Sequence, residues 1–245
     1  MGKEKSKSKT HTELIREFDK RHENGCVIRC GKDAHNHRKN GYNYAKSNWK
    51  DYYNKDFTTQ GEINRLNLIF GPAPPYFGHK SSNHRDPRHR LTAWHLTTGS
   101  NYQVGRWPFT NQAHHIIPIS AFHHTFDFFE CIWCQQCGYN INGGENIIIL
   151  PAEERVGKAM RMLIHPTSHK DYNSAVQSEL NKVKGEFARA KDDEEEGHYP
   201  LEEEDMPKVK DELEQFSKDT MYDIFCAGEE QPGSEMKIVS ILSAR

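Results

Sequence analysis

Apolar residues recur at helical spacing over much of the chain and run unbroken in one place. Residues 12–22 put Leu14, Ile15 and Phe18 on one face of a short helix. Residues 44–56 and 60–70 read as helices, the second carrying Ile63, Leu66 and Ile69 at helical spacing. "GPAPPYFG" (71–78) breaks the pattern, and residues 79–105 carry no assignable period. Residues 111–119 read as a short strand leaving a loop, 120–129 as a helix and 131–145 as loop. "IIIL" (147–150), stopped by Pro151, reads as a strand buried on both faces. Residues 152–164 are helical in pattern. Pro166 suits the first position of a further helix, on which Tyr172, Val176, Leu180 and Val183 form one stripe. Leu213, Phe216, Met221 and Phe225 predict a last amphipathic helix over 207–226, and 236–242 reads as a terminal strand. No repeat is visible. The pattern is α+β and mostly helical.

Composition changes this picture in two ways. The chain is polar, with mean hydropathy −0.92 and 35% hydrophobic residues, yet 11% aromatics argue against a disordered polymer. The net charge of −2 conceals an asymmetry. Residues 1–120 hold 20 Lys+Arg against 10 Asp+Glu, and residues 121–245 hold 13 against 25. The basic half is what a polyanion-binding surface needs, although solvated charged faces explain the same counts. No run has the length of a membrane span. The first ten residues are charged without an apolar segment behind them, so no cleaved Sec-type signal is expected and synthesis in a reducing cytoplasm is. Six cysteines in 245 residues do not make a disulfide scaffold.

The chemistry concentrates in "NQAHHIIPIS" (111–120). Adjacent residues of a strand face opposite ways, so His114 and His115 divide between two faces. Hydrolysis of a phosphodiester needs a base near neutral pH, a divalent cation to neutralise developing charge, and a group to orient the base. Downstream stand Asn146, after a Gly-Gly turn and before the second strand, and then His165 and His169 at i, i+4. Proline disfavours helical geometry in the residue before it, which places His165 at or before the helix start and His169 in its first turn.

These motifs in this order resemble the ββα-metal (His-Me finger, HNH) nuclease core. "QAHHIIP", "NGGENIIILP" and "HPTSHKDYN" are similar to the AHH-type branch found in bacterial polymorphic toxins, and the order is also similar to colicin-type DNase domains. The resemblance covers roughly residues 105–185. It implies that His115 is the general base, that Asn146 orients it, and that His114, His165 and His169 hold a divalent metal ion. Imidazole donors suit Zn²⁺, Ni²⁺ or Cu²⁺ better than Mg²⁺, and Mn²⁺ also belongs among the candidates. The resemblance further implies DNA as substrate, a cognate immunity protein, a secretion-apparatus or chaperone partner, and type VI-like export without a cleaved signal.

The expected organisation is a disordered tail (1–10), a basic, partly helical N-terminal region (11–104), a nuclease core (105–190) and an acidic helical extension (191–245). Cys26, Cys30, Cys131, Cys134 and Cys137 offer ligands for a second, structural Zn²⁺ built from the first pair and two of the later three. Free buried cysteines are the equal alternative. Lys80, Arg85, Arg88, Arg90 and Arg106 are candidate phosphate contacts in basic, loop-like sequence. His123 and His124 read as helix surface or support. Two other functions compete: a housekeeping or phage-related HNH nuclease, and a non-catalytic zinc-stapled nucleic-acid-binding module.

Overall fold

The computed structural model describes residues 25–30, 32–48, 111–165, 170–192 and 206–235. The predicted helices at 12–22 and 60–70, the basic loop at 79–105 with four of the candidate phosphate contacts, the fifth at Arg106, most of the acidic linker and the strand at 236–242 lie outside these residues.

The described fold is mixed, with helices packed around a small two-stranded sheet. Strand β1 (Asn111–His115) pairs antiparallel with β2 (Ile147–Pro151). The register sets His114 opposite Ile148 and His115 opposite Ile147. Every residue of β2 is buried, which explains its unbroken apolar run: both faces of this strand are covered. Ile148 and Leu150 join the main core, whereas Ile147 and Ile149 pack with Tyr42 and Ala113 on the other face. Burying such side chains contributes roughly 1.5–3 kcal/mol each.

The face holding Tyr42 is covered by α1 (His37–Ser47), which starts seven residues ahead of the helix expected from Tyr44 onward. The helix begins at Asn36, whose side chain accepts from Lys39 N–H at 3.1 Å. Gly41 lets the helix approach the sheet closely, since a Cβ there would sit 2.4 Å from Ile147 Cγ2.

Between the strands the chain forms α2 (Ile119–Thr125) and α3 (Phe128–Gln136), not one helix and a loop. Asp127 divides them by starting a capping box: its carboxylate accepts from Glu130 N–H at 3.0 Å, and Glu130 Oε2 accepts from Asp127 N–H at 2.7 Å. After β2 come α4 (Glu154–Met160), α5 (Lys170–Asp192) and α6 (Met206–Glu230). Helix α4 ends where Arg161 turns left-handed at φ 50°. Tyr172, Val176 and Leu180 are buried on α5, which packs against α2, while α6 closes the core with Val209, Leu213, Met221 and Ile224. Among the described residues no helix is long and apolar enough to cross a membrane.

Candidate functional site

The strand period places the two adjacent histidines on opposite sides of β1. His114 shares its face with Ile148 and meets α5: its ring centroid lies 5.2 Å from that of Tyr172. His115 shares its face with Ile147 and meets the N-terminal region, stacked on His37 at 5.1 Å between centroids. Both nevertheless line one cavity of about 330 Å³, at the end of the strand. Arg29, His37, His165, Tyr172 and Asn173 line it as well.

His115 is held by an asparagine, and that asparagine is Asn142. Asn142 Oδ1 lies 3.2 Å from His115 Nε2. The carboxamide orientation follows from its other end, where Nδ2 donates to the Ile28 carbonyl at 2.8 Å and to Cys26 Sγ at 3.4 Å. Oδ1 is therefore the acceptor, Nε2–H of His115 the donor, and Nδ1 of His115 keeps the lone pair. Burial pushes the His115 pKa down to about 4, against the opposing effect of the Asn142 hydrogen bond and with help from the nearby charges of His37 and Arg29. The imidazole is neutral at pH 7. The pKa of His37 is lowered too, by burial first and then by Arg29 and Arg38.

Asn146 does something else. It is fully buried at the end of a 3₁₀ turn (Gly144–Asn146), and its side chain ties three segments together. Oδ1 accepts from Ile117 N–H at 2.7 Å and faces Ser217 Oγ of α6 at 3.0 Å; Nδ2 donates to the carbonyls of Ile141 (2.7 Å) and Ile117 (3.2 Å). Asn146 thus holds the turn and the loop after the histidines, and the His115 imidazole itself is met by Asn142, four residues earlier. The physical reason is that the turn aims Asn146 into the core beneath the loop that leaves β1.

His165 stands beside His114, with ring centroids 4.3 Å apart and planes tilted by 47°. It is buried and sits outside any helix, and its backbone N–H donates to the Pro151 carbonyl at 3.0 Å, at the end of β2. His169 lies outside the described residues. Two imidazoles side by side at a cavity wall fit a borderline divalent cation such as Zn²⁺, Ni²⁺ or Cu²⁺. Tyr172 supports the pair: its hydroxyl donates to the Ile116 carbonyl while its ring lies against His114. Its place on an apolar stripe gave no hint of this role.

The cysteines divide differently from the sequence expectation. Cys131 and Cys134 are buried thiols of the main core on α3, and burial pushes Cys131 up to about 12 and Cys137 up to about 11. Cys131 Sγ lies 3.7 Å from His123 Nδ1, while His123 Nε2–H donates to the Val27 carbonyl at 2.8 Å. Among the described residues, the group able to hold a metal is Cys26, Cys30 and His35, their ligand atoms all within 4.8 Å of one another. Cys131 and Cys134 do not join it because α3 turns them into the apolar interior, and Cys137 caps the end of that helix, part-buried.

Arg29, His37, Asn142, Tyr172 and His35 were not read as site residues from sequence. Three come from residues 25–48, and linear sequence carries no signal that this segment folds over β1. Comparison with known proteins agrees with the central motif. Residues 97–202 match the AHH family, a nuclease family of the HNH/ENDO VII superfamily with conserved AHH, here Ala113-His114-His115. No curated protein and no solved structure matches the chain. Residues 97–202, which hold the paired histidines and both strands, are thus similar to the AHH nuclease family.

Proposed function

We propose that this nuclease is a metal-dependent HNH-type endonuclease that hydrolyses DNA phosphodiester bonds, with β1, β2 and α5 as its ββα core. The observation that carries the reading is that His114 and His115, on opposite faces of one strand, line the same cavity. His115 Nδ1 takes the proton of the attacking water, because Asn142 holds Nε2 as the protonated nitrogen. A phosphodiester in the cavity raises the proton affinity of His115, since a nearby anion favours the imidazolium. Arg29, with His37 beside it, lines the same wall and positions a phosphate oxygen. His114 and His165 hold the divalent cation, with His169 as the further ligand that the family resemblance suggests. When bound, the cation neutralises charge developing on the phosphate and leaving oxygen. Phosphate and backbone contacts carry no base information, so cleavage without strong sequence preference is expected.

The biological role proposed is that of an antibacterial toxin. It rests on the likeness of "QAHHIIP" and "HPTSHKDYN" to polymorphic-toxin nucleases, together with an immunity protein whose acidic surface would cover the basic cleft. Expression in a bacterium should be toxic, and His115→Ala should relieve the toxicity. Growth unaffected by the wild-type chain would remove this role. The activity itself is tested on plasmid DNA with EDTA and with added Mg²⁺, Mn²⁺, Zn²⁺ or Ni²⁺. Cleavage restored by one of these ions is expected; cleavage indifferent to EDTA would contradict the mechanism.

A further inference from the structure

We propose that Cys26, Cys30 and His35 form a Zn²⁺ site separate from the catalytic histidines, and that Asn142 couples this site to His115. The three ligand atoms lie within 4.8 Å of one another. A tetrahedral Zn²⁺, with Zn–S of about 2.3 Å and Zn–N of about 2.0–2.1 Å, asks for ligand separations of about 3.5–3.8 Å. A contraction of about 1 Å or less closes the site. Two thiolates and an imidazole are the donor types that Zn²⁺ favours over Mg²⁺. On binding, each thiol gives its proton to solvent, and Zn²⁺ with two thiolates and a neutral imidazole carries no net charge. Water completes the fourth position.

Two further observations point the same way. Each sulfur already receives an N–H: Lys32 N–H donates to Cys30 Sγ at 3.3 Å, and Asn142 Nδ2 donates to Cys26 Sγ at 3.4 Å. Such donors stabilise a thiolate more than a thiol. The ligands are also fixed from outside the cluster. Cys26 N–H donates to the Tyr139 carbonyl at 2.8 Å and its carbonyl accepts from Ile141 N–H at 2.7 Å. His35 is buried at the end of a 3₁₀ turn (Asp33–His35) that leads through Asn36 into α1.

The coupling runs through one carboxamide. Asn142 touches the Cys26 sulfur with Nδ2 and the His115 imidazole with Oδ1. A charged thiolate held by Zn²⁺ binds Nδ2 more tightly than a thiol does, and so holds Oδ1 toward Nε2–H of His115. The cluster belongs to residues 25–48, outside the family match at 97–202, so this chain supplies a support that the matched region lacks. This second part rests on His115 being the base; the existence of the Zn²⁺ site does not.

Zinc analysis of the His114→Ala/His165→Ala chain, loaded with Zn²⁺ and desalted, separates the two. One zinc per chain is expected there, and it is lost when Cys30→Ser is added. Zinc content unchanged in Cys30→Ser would overturn the site. Should Cys30→Ser fail to fold, Co²⁺ loaded into the wild-type chain gives the same answer. Thiolate-to-cobalt charge-transfer absorption is expected, and its absence would overturn the site. For the coupling, ¹⁵N spectra of the His115 ring should show Nε2–H in the zinc-loaded chain and a mixed tautomer in folded Cys30→Ser. Nuclease activity should fall about 10–100-fold in the same variant. Zinc loss with an unchanged His115 spectrum would overturn the coupling while leaving the site standing.

Discussion

Replacing Asn146 by Ala separates a structural from a catalytic role for the asparagine before β2. The side chain is fully buried and makes four hydrogen-bond contacts, at 2.7, 2.7, 3.0 and 3.2 Å. Ser217 keeps a partner when Asn146 is truncated, because its hydroxyl also lies 3.0 Å from the Leu213 carbonyl. The Ile117 N–H and the Ile141 carbonyl lose the Asn146 side chain, in residues with no exposed surface. Each stranded buried group costs about 1–3 kcal/mol, and the cavity adds to it, giving on the order of 3–5 kcal/mol in all. For a protein of this size that lowers the Tm by roughly 6–20 °C. Thermal and urea unfolding measure the loss, and activity per folded molecule is read well below the variant's Tm. Asn142→Ala serves as the comparison, because it releases His115 and should cost on the order of 10²-fold in kcat. Asn146→Ala should lose far more stability than Asn142→Ala does per unit of activity lost. Stability within about 1 kcal/mol of wild type, combined with collapse of kcat, would show that Asn146 acts on His115 itself.

Two further perturbations test the surroundings of the histidines. Tyr172→Phe removes the hydroxyl that donates to the Ile116 carbonyl. It should cost about 1–3 kcal/mol in urea unfolding and weaken metal binding at His114 in calorimetry; unaltered affinity would detach Tyr172 from the metal site. The folded pKa of His115, about 4, lies below its ordinary 6.5, so the unfolded chain binds more protons between these values. The stability held above pH 6.5 is lost as pH falls toward 4, by up to about 3 kcal/mol. A cation on His114 acts in the same direction. His115→Gln should flatten this dependence between pH 7 and pH 4.5, and an identical slope in both proteins would refute the burial argument.

The parts of the fold that announced themselves in sequence did so through side-chain period. Four consecutive apolar residues stopped by Pro151 read as a buried strand, and β2 is one. The stripe through Leu213 and Met221 gave α6, which starts one residue earlier than expected and runs on to Glu230. Helix α1 was hidden because it buries little apolar surface of its own, relying on Tyr42, Ala45 and the close approach at Gly41. Helix α3 was hidden by its cysteines, although Asp127 and Glu130, three residues apart, spelled out a capping box. In the candidate site, the strand period alone separated His114 from His115. The partners of His115 did not follow from it, because Arg29, His37 and Asn142 arrive from elements whose packing no local pattern encodes. Asn142 and Asn146 are alike in sequence, and only the aim of the 3₁₀ turn distinguishes them.

The central claim is that His115 is the base of a metal-dependent phosphodiesterase. Its most direct test is cleavage of supercoiled plasmid by purified wild type and His115→Ala, each loaded with the same divalent ion, with metal affinity and unfolding measured on both. The account predicts EDTA-sensitive cleavage by wild type, and loss of cleavage in the variant with metal binding and fold retained. Wild-type cleavage rates in a folded His115→Ala protein would contradict it.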